Sequence, residues 1–104
     1  MTLSRFKLVT IITEPILVPE IEKDIRKVGS SGITTTQVHG EGSRHLQSGE
    51  IPGSKVKNEC VVSPPVAKQI MRHVSENYFE NYSVIIYAAD IEILRHEKFQ
   101  EKTK

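Results

Sequence analysis

The sequence predicts a single α+β domain in which an antiparallel sheet carries two helices on one face. Two kinds of segment alternate along the 104 residues. Runs of β-branched apolar residues are typical of strands, and apolar residues three and four positions apart are typical of amphipathic helices. Their order is strand–helix–strand–strand–helix–strand, and the segments below support each element of that order.

The first strand and the first helix follow from their apolar patterns. Residues 6–13, FKLVTIIT, indicate a buried strand that ends before Pro15. Apolar residues then recur at helical spacing, at Leu17, Ile21, Ile25 and Val28. Pro19 suits the first turn of this helix, and Gly29 is placed to end it.

The second half of the chain repeats the pattern after a hairpin. Residues 33–38 and 55–62 read as two strands joined by a long loop. Ser63 is expected to cap a second helix, with prolines in its first turn. The inner stripe predicted for this helix is Val66, Ala67, Ile70, Met71, Val74 and Tyr78. Residues 83–89 are nearly all apolar, which predicts a strand in the centre of the sheet. Residues 90–99 alternate at first and allow a short extra strand, and residues 100–104 are expected to fray.

This order is the ferredoxin-like βαββαβ sandwich, with both helices on one face of the sheet. Residues 1–99 form the predicted domain. The first and last strands are apolar on both sides, so the sheet face away from the helices needs a cover. Further copies of the same subunit are the simplest cover.

A loop of residues 40–54 separates the second and third strands and is too long for a tight hairpin. It is rich in glycine and serine, so we expect it to be mobile when free. Gly40, Gly42, Ser43 and Arg44 have the chemistry of a phosphate cradle, because glycine backbone N–H groups, a hydroxyl and a guanidinium all donate to phosphate. By residue content alone, an ordinary solvated loop is an equal alternative.

Composition excludes several classes of function. The net charge of +1 and the absence of a basic stripe argue against nucleic-acid binding. No apolar run reaches the length of a membrane span. The single Cys60 can form no intramolecular disulfide, which fits the cytoplasm, and its strand position predicts a buried core residue. The four histidines are scattered, with His39 and His45 near the loop and His73 expected at the surface, so no metal site is predicted.

Three stretches of the chain are similar to the PII-like signalling proteins. They are residues 7–17 (KLVTIITEPIL), residues 40–44 (GEGSR) and residues 78–87 (YFENYSVIIY). Together they resemble most closely the SbtB-type, carboxysome-associated branch, which is linked to bicarbonate uptake. The resemblance covers most of residues 5–99.

The resemblance implies a cytoplasmic, non-enzymatic homotrimer that binds adenine nucleotides (AMP, ADP, cyclic AMP or ATP) between its subunits, with bicarbonate as a second ligand and no obligatory cofactor. The loop at about residues 40–55 would be the T-loop, which contacts a membrane bicarbonate transporter or a carboxysome-linked partner. Carried over by residue, the phosphate would meet Gly40, Gly42, Ser43 and Arg44. The adenine or ribose side would be lined by Ser83, Val84, Ile85 and Ile86, and Arg95 would reach the phosphate from the next subunit.

The sequence departs from this family pattern at several positions. Gln47 stands where SbtB-type loops commonly carry a second arginine, and Val84 replaces a common glycine. The paired C-terminal cysteines of some members are missing, and so is the loop-tip tyrosine of nitrogen-regulatory PII proteins.

Two alternatives on the same topology remain open. The first is an acylphosphatase-like phosphoryl hydrolase, which needs an arginine and a nearby asparagine, here Asn58 or Asn81. The second is a metal-tolerance-type trimer.

Overall fold

A computed structural model describes residues 1–40 and 53–99. These described residues form two α-helices, two short 3₁₀ turns at Pro15–Leu17 and His96–Phe99, and one sheet. The strands are β1 (Ser4–Thr13), β2 (Thr34–His39), β3 (Ser54–Val62) and β4 (Ile85–Ile93), and the helices are α1 (Val18–Lys27) and α2 (Pro64–Tyr78). The predicted ferredoxin-like order is confirmed. The predicted fraying of residues 100–104 and the loop conformation lie outside the described residues.

The sheet order is β2-β3-β1-β4, and each neighbouring pair is antiparallel. The prediction that β4 lies in the centre of the sheet is therefore wrong, because among the described strands β4 pairs with β1 alone and forms an edge. Its apolar residues have two other roles. Ile86 and Ala88 pack against the core between the sheet and the helices, whereas Ile85 and Tyr87 point to the other face and are 56% and 49% exposed. A strand that is apolar on both sides need not be central.

The hydrophobic core fills the space between the helices and one face of the sheet. It contains eleven buried residues: Val9, Ile11, Leu17, Ile21, Ile25, Cys60, Val62, Val66, Ala67, Ile70 and Val74. The apolar stripes predicted for both helices supply seven of these residues, so the helical periodicity identified the buried faces correctly. Cys60 is buried as predicted.

The first helix ends as its sequence predicts. Gly29 has φ 120°, its N–H donates to Arg26 O, and the N–H of Ser30 donates to Ile25 O at 3.2 Å. This pair of hydrogen bonds is a Schellman motif, which favours glycine at its left-handed position. At the start of α2, Ser63 is the N-cap residue, although its side chain makes no capping bond.

The sheet face opposite the helices is largely apolar and remains partly exposed in the single chain. Alternation along β1 and β4 brings Leu8 and Ala89, Phe6 and Ile91, and the exposed Ile85 and Tyr87 to this open face. The sequence analysis expected such a face and expected it to need a cover.

Candidate ligand-binding site

The base of the long loop lies at the end of the sheet where β2 finishes and β3 begins. The hairpin extends one step past β2, because the N–H of Gly40 donates to Gly53 O at 2.9 Å. Of the predicted phosphate residues in this segment, Gly40 is described, whereas Gly42, Ser43 and Arg44 lie outside the described residues. Their role as a phosphate cradle stays a prediction.

The two glycines at the loop base differ in how strictly glycine is required. A Cβ added to Gly40 would lie 3.5 Å from Lys55 Cγ, which is an ordinary contact. At Gly53, φ is +83° and a Cβ would lie 2.4 Å from Cε1 of the His39 ring. The conformational need for glycine is therefore at Gly53, which follows the loop in sequence, rather than at Gly40 before it.

The predicted adenine-side residues occupy the connection into β4. Val84 and Ile86 pack against the core, so their side chains are committed to the helix side of the sheet. Ile85 is exposed on the open face beside Ile12. The backbone N–H of Ser83 donates to Glu14 Oε1 at 3.1 Å. Of these four residues, Ile85 offers a side chain to a ligand on the open face.

Glu14 is the residue at this end of the sheet that sequence reasoning underestimated. A glutamate at a strand end is usually a solvated ion-pair partner. In the structure Glu14 is 0% exposed, and its carboxylate fixes the chain before β4 through the Ser83 N–H. Nothing in the local pattern signals this burial, since it depends on a contact 69 residues away in sequence.

Lys55 is also buried, with 7% of its surface exposed. It is the second residue of β3 and pairs with Val38 of β2, and its side-chain stem lies against the backbone of Gly40. Lysine side chains are rarely buried unless their charge is paired. The alternating pattern that identified β3 did not distinguish Lys55 from the neighbouring Lys57.

Arg95 lies at the opposite end of the sheet from the loop base. It follows β4 in a left-handed conformation, with φ 59°, and it is largely exposed. The strand between Ser83 and Arg95 spans roughly 30 Å at about 3.3 Å per residue. Arg95 therefore cannot meet a phosphate bound at the loop base of its own chain.

A cleft of about 420 Å³ lies on the open face near this second end. Its walls come from the start of β2, from β1 and β3, and from the C-terminal 3₁₀ turn, including Ser31, Thr34, Glu59 and Lys98. The turn is held in place because Ser31 Oγ donates to Lys98 O at 3.0 Å and the Phe6 and Phe99 rings pack edge to face. The sequence analysis did not identify these residues.

Two candidate residues from the sequence turn out to be structural. Asn58 is buried on the helix side, where its Nδ2 donates to Ile11 O at 3.4 Å and its Oδ1 contacts the Thr35 hydroxyl. It is therefore turned away from the open face. Burial raises the pKa of the Cys60 thiol to about 11, an effect that a hydrogen bond with Ser30 partly offsets. Cys60 is thus a protonated core residue rather than a nucleophile.

His73, which was expected at the surface, is partly exposed and has a partner that the sequence analysis did not identify. His73 Nε2 lies 2.9 Å from Asp24 Oδ2, which also accepts a hydrogen bond from the Tyr78 hydroxyl. Burial, followed by the hydrogen bond to Asp24, raises the pKa of Tyr78 well above its usual value. This cluster joins α1 to α2 in the helix layer.

The described part of the chain offers neither a metal-binding group nor a membrane-spanning helix. Within residues 1–40 and 53–99, no three His, Cys, Asp or Glu side chains are grouped so that they could hold a metal ion. Across the same residues, neither helix is long and apolar enough to cross a bilayer.

Comparison with known proteins identifies the family. The family model for nitrogen regulatory protein P-II matches residues 6–98, so this chain belongs to the P-II family. A PII-like signalling protein from Thermus thermophilus is 36% identical, with a TM-score of 0.82 over 95% of this chain and 99% of that chain. The PII-like class inferred from the three sequence stretches is thereby confirmed.

More distant structures share the fold. CPII from Thiomonas intermedia, solved with ADP, AMP and acetate, has a TM-score of 0.83 at 20% identity, covering 97% of this chain and 100% of that chain. The same protein solved with ADP and bicarbonate has a TM-score of 0.81 at 21% identity, covering 94% of this chain and 97% of that chain. At this level of sequence identity, the two matches show that the fold is shared.

Proposed function

We propose that this protein is a non-catalytic, homotrimeric sensor that binds an adenine nucleotide between neighbouring subunits and signals through its long loop. One geometric observation carries the proposal. The loop base, where Gly40 lies, and Arg95 are at opposite ends of a sheet whose open face is largely apolar. Packing of that face against neighbouring copies would bring the loop base of one subunit to the C-terminal segment of the next.

The chemistry of the two ends supports a nucleotide as the ligand. Gly42, Ser43 and Arg44 supply backbone, hydroxyl and guanidinium donors for phosphate. The apolar Ile85 and the cleft beside Phe99 offer surfaces for a base or ribose. Family membership and the nucleotide-bound CPII structures favour the same ligand class. Ligand binding across a subunit boundary would couple occupancy to loop order, provided that each nucleotide favours a different loop state.

A finer proposal concerns what the sensor regulates. We infer that bicarbonate is a second ligand and that the loop acts on a bicarbonate transporter or a carboxysome-linked partner, as in the SbtB-type branch. Two observations support this inference: the GEGSR start of the loop and the structure of CPII with ADP and bicarbonate. On this proposal the protein works in the cytoplasm and is recruited to the membrane only by its partner.

Calorimetric titration tests the proposal directly. ADP, AMP, ATP and cyclic AMP are each titrated into the protein with and without bicarbonate, and the titrations are repeated with Arg44→Ala and Arg95→Ala. We expect micromolar binding of at least one nucleotide and a loss of roughly tenfold or more in each variant, because each removes a charge-assisted hydrogen bond to phosphate.

Arg26→Ala is the matched control, since Arg26 is an exposed arginine on α1, in the helix layer on the other side of the sheet from the open face. It should bind like the unmodified protein. If no adenine nucleotide binds, or if Arg26→Ala weakens binding as much as Arg44→Ala, the sensor proposal is wrong. The hydrolase alternative gains no support from Asn58, whose amide is occupied in the core.

A further inference from the structure

Two oppositely charged side chains at the loop base are buried with unused hydrogen-bonding atoms. Among the described residues, Glu14 Oε2 and Lys55 Nζ have no hydrogen-bond partner, although the residues are only 0% and 7% exposed. Burial of a charged group without a partner costs several kcal/mol. A protein keeps such groups where they serve a purpose, so this pair is a candidate site in its own right.

Strand register places the two side chains next to each other. The β1–β3 ladder ends with the pair Thr13 and Val56, so the next position sets Glu14 opposite Lys55. The β1–β4 ladder ends with Ile12 opposite Ile85, and two positions further Glu14 comes opposite Ser83. The hydrogen bond from the Ser83 N–H to Glu14 Oε1 shows that these two residues lie close together beyond the end of the ladder.

Alternation of side chains along the strands indicates on which face of the sheet Glu14 and Lys55 lie. Glu14 follows the parity of Ile12, and Lys55 follows the parity of Lys57, which belong to the open face of the sheet. Thr13 also has a buried hydroxyl without a partner, but it shares the core-side parity of Val56. The open face therefore receives a carboxylate oxygen and an ammonium on adjacent strands, and Thr13 is not part of that pair.

The chemistry of the pair restricts what can bind between its members. An ionised carboxylate only accepts hydrogen bonds, and an ammonium only donates them. A ligand atom that satisfies both must donate to Glu14 Oε2 and accept from Lys55 Nζ, which a hydroxyl group does. A carboxylate or phosphate oxygen without a hydrogen would satisfy Lys55 but would be repelled by Glu14.

We propose that Glu14 and Lys55 hold a hydroxyl group of the ligand at the loop base. The location of this pair of residues supports the role. Glu14 binds the N–H of Ser83 at the start of the predicted adenine-side segment, and the side-chain stem of Lys55 lies near Gly40 at the start of the loop. The inference rests on the proposed function, and two ligands of that function carry a suitable hydroxyl. One is hydrogencarbonate, and the other is the ribose of the nucleotide.

Glu14→Gln is the central variant. The amide oxygen can keep the Ser83 hydrogen bond, while the second position becomes an NH₂ that only donates and so opposes a ligand hydroxyl. Lys55→Met removes the ammonium but keeps the stem. Thr13→Val is the matched control, because it removes a buried, unpaired hydroxyl one residue away on the other face. Circular dichroism checks that each variant folds.

The experiment titrates each protein with ADP, 2′-deoxy-ADP and 3′-deoxy-ADP, and then titrates sodium bicarbonate or sodium nitrate into the ADP complex. The first possible outcome identifies hydrogencarbonate as the source of the hydroxyl. In this first arm, the unmodified protein binds hydrogencarbonate but not nitrate. Glu14→Gln and Lys55→Met each bind hydrogencarbonate roughly tenfold or more weakly. In the second arm, one deoxynucleotide binds the unmodified protein roughly tenfold more weakly than ADP, and this difference vanishes in Glu14→Gln. Thr13→Val behaves like the unmodified protein in both arms.

Either arm supports the inference and identifies the source of the hydroxyl. The inference is overturned if Glu14→Gln keeps both the hydrogencarbonate affinity and the ribose-hydroxyl dependence of the unmodified protein. Binding of nitrate in place of hydrogencarbonate excludes the first arm, and the whole inference is overturned if Glu14→Gln lowers only the thermal stability, as a purely structural role would. Absence of binding of every adenine nucleotide in the calorimetric titrations is a different result, since it refutes the proposed function itself.

Discussion

At the scale of single residues, the loop base contains two glycines that look alike in sequence but differ in the structure. Gly53→Ala should lower the free energy of unfolding by about 1–2 kcal/mol, because a side chain there would hold a left-handed conformation and crowd the His39 ring. Gly40→Ala is the control, since its added methyl makes an ordinary contact with the Lys55 stem. Urea denaturation of both variants measures the difference. Equal stabilities would contradict the role assigned to Gly53.

Residue roles at the candidate site were predictable only in part. The proposed phosphate-binding role of residues 40–44 rests on chemistry that is local in sequence. The roles of Glu14 and Lys55 do not, because burial of each depends on which strands lie beside it. A glutamate before Pro15 and a lysine in an alternating strand have the same local pattern as solvated residues. Tertiary contacts decide the difference, as with the Ser83 N–H that binds Glu14.

At the scale of elements, the contact between α1 and α2 should respond to alkaline pH. The pKa of Tyr78 lies above its ordinary value of 10.0 because of burial and the bond to Asp24. The hydroxyl therefore ionises more readily in the unfolded chain than in the folded protein. Its contribution to stability is complete below about pH 10 and is lost as pH rises through the folded-state pKa, with a slope of up to about 1.4 kcal/mol per pH unit.

Tyr78→Phe isolates that contribution from the other groups that titrate at high pH. The variant should be less stable than the unmodified protein at pH 8, and the gap should narrow between pH 10 and 12. Chemical denaturation at each pH gives both curves. A gap that stays constant across this range would mean that Tyr78 ionises equally easily in both states.

Elements were more predictable than their arrangement in the sheet. Helical periodicity and the signal of Gly29 identified α1 and its end, and the hairpin residues identified β2 and β3. The position of β4 was predicted wrongly because apolar composition reports burial on two faces, not the presence of two neighbouring strands. Here one face packs on the helices and the other faces outward, so an edge strand has the composition of a central one.

At the scale of the whole molecule, the open face of the sheet predicts the state of association. Ile85 and Tyr87 are half exposed in the single chain, beside other apolar residues of β1 and β4. We expect sedimentation equilibrium to give three times the chain mass of 11.8 kDa. Tyr87→Glu should give the single-chain mass with its helices intact, because assembly would bury three unpaired carboxylates at the interface.

Gln69→Glu provides the matched control for added charge, since Gln69 is exposed on α2, on the opposite layer from the open face. It should sediment like the unmodified protein.

The same samples also connect association to ligand binding. If the nucleotide site is shared between subunits, Tyr87→Glu loses nucleotide binding although it changes none of the predicted phosphate residues. A Tyr87→Glu chain that sediments as a monomer and still binds nucleotide with full affinity would place the site within one subunit. The 30 Å or so between the loop base and Arg95 would then exclude Arg95 from it.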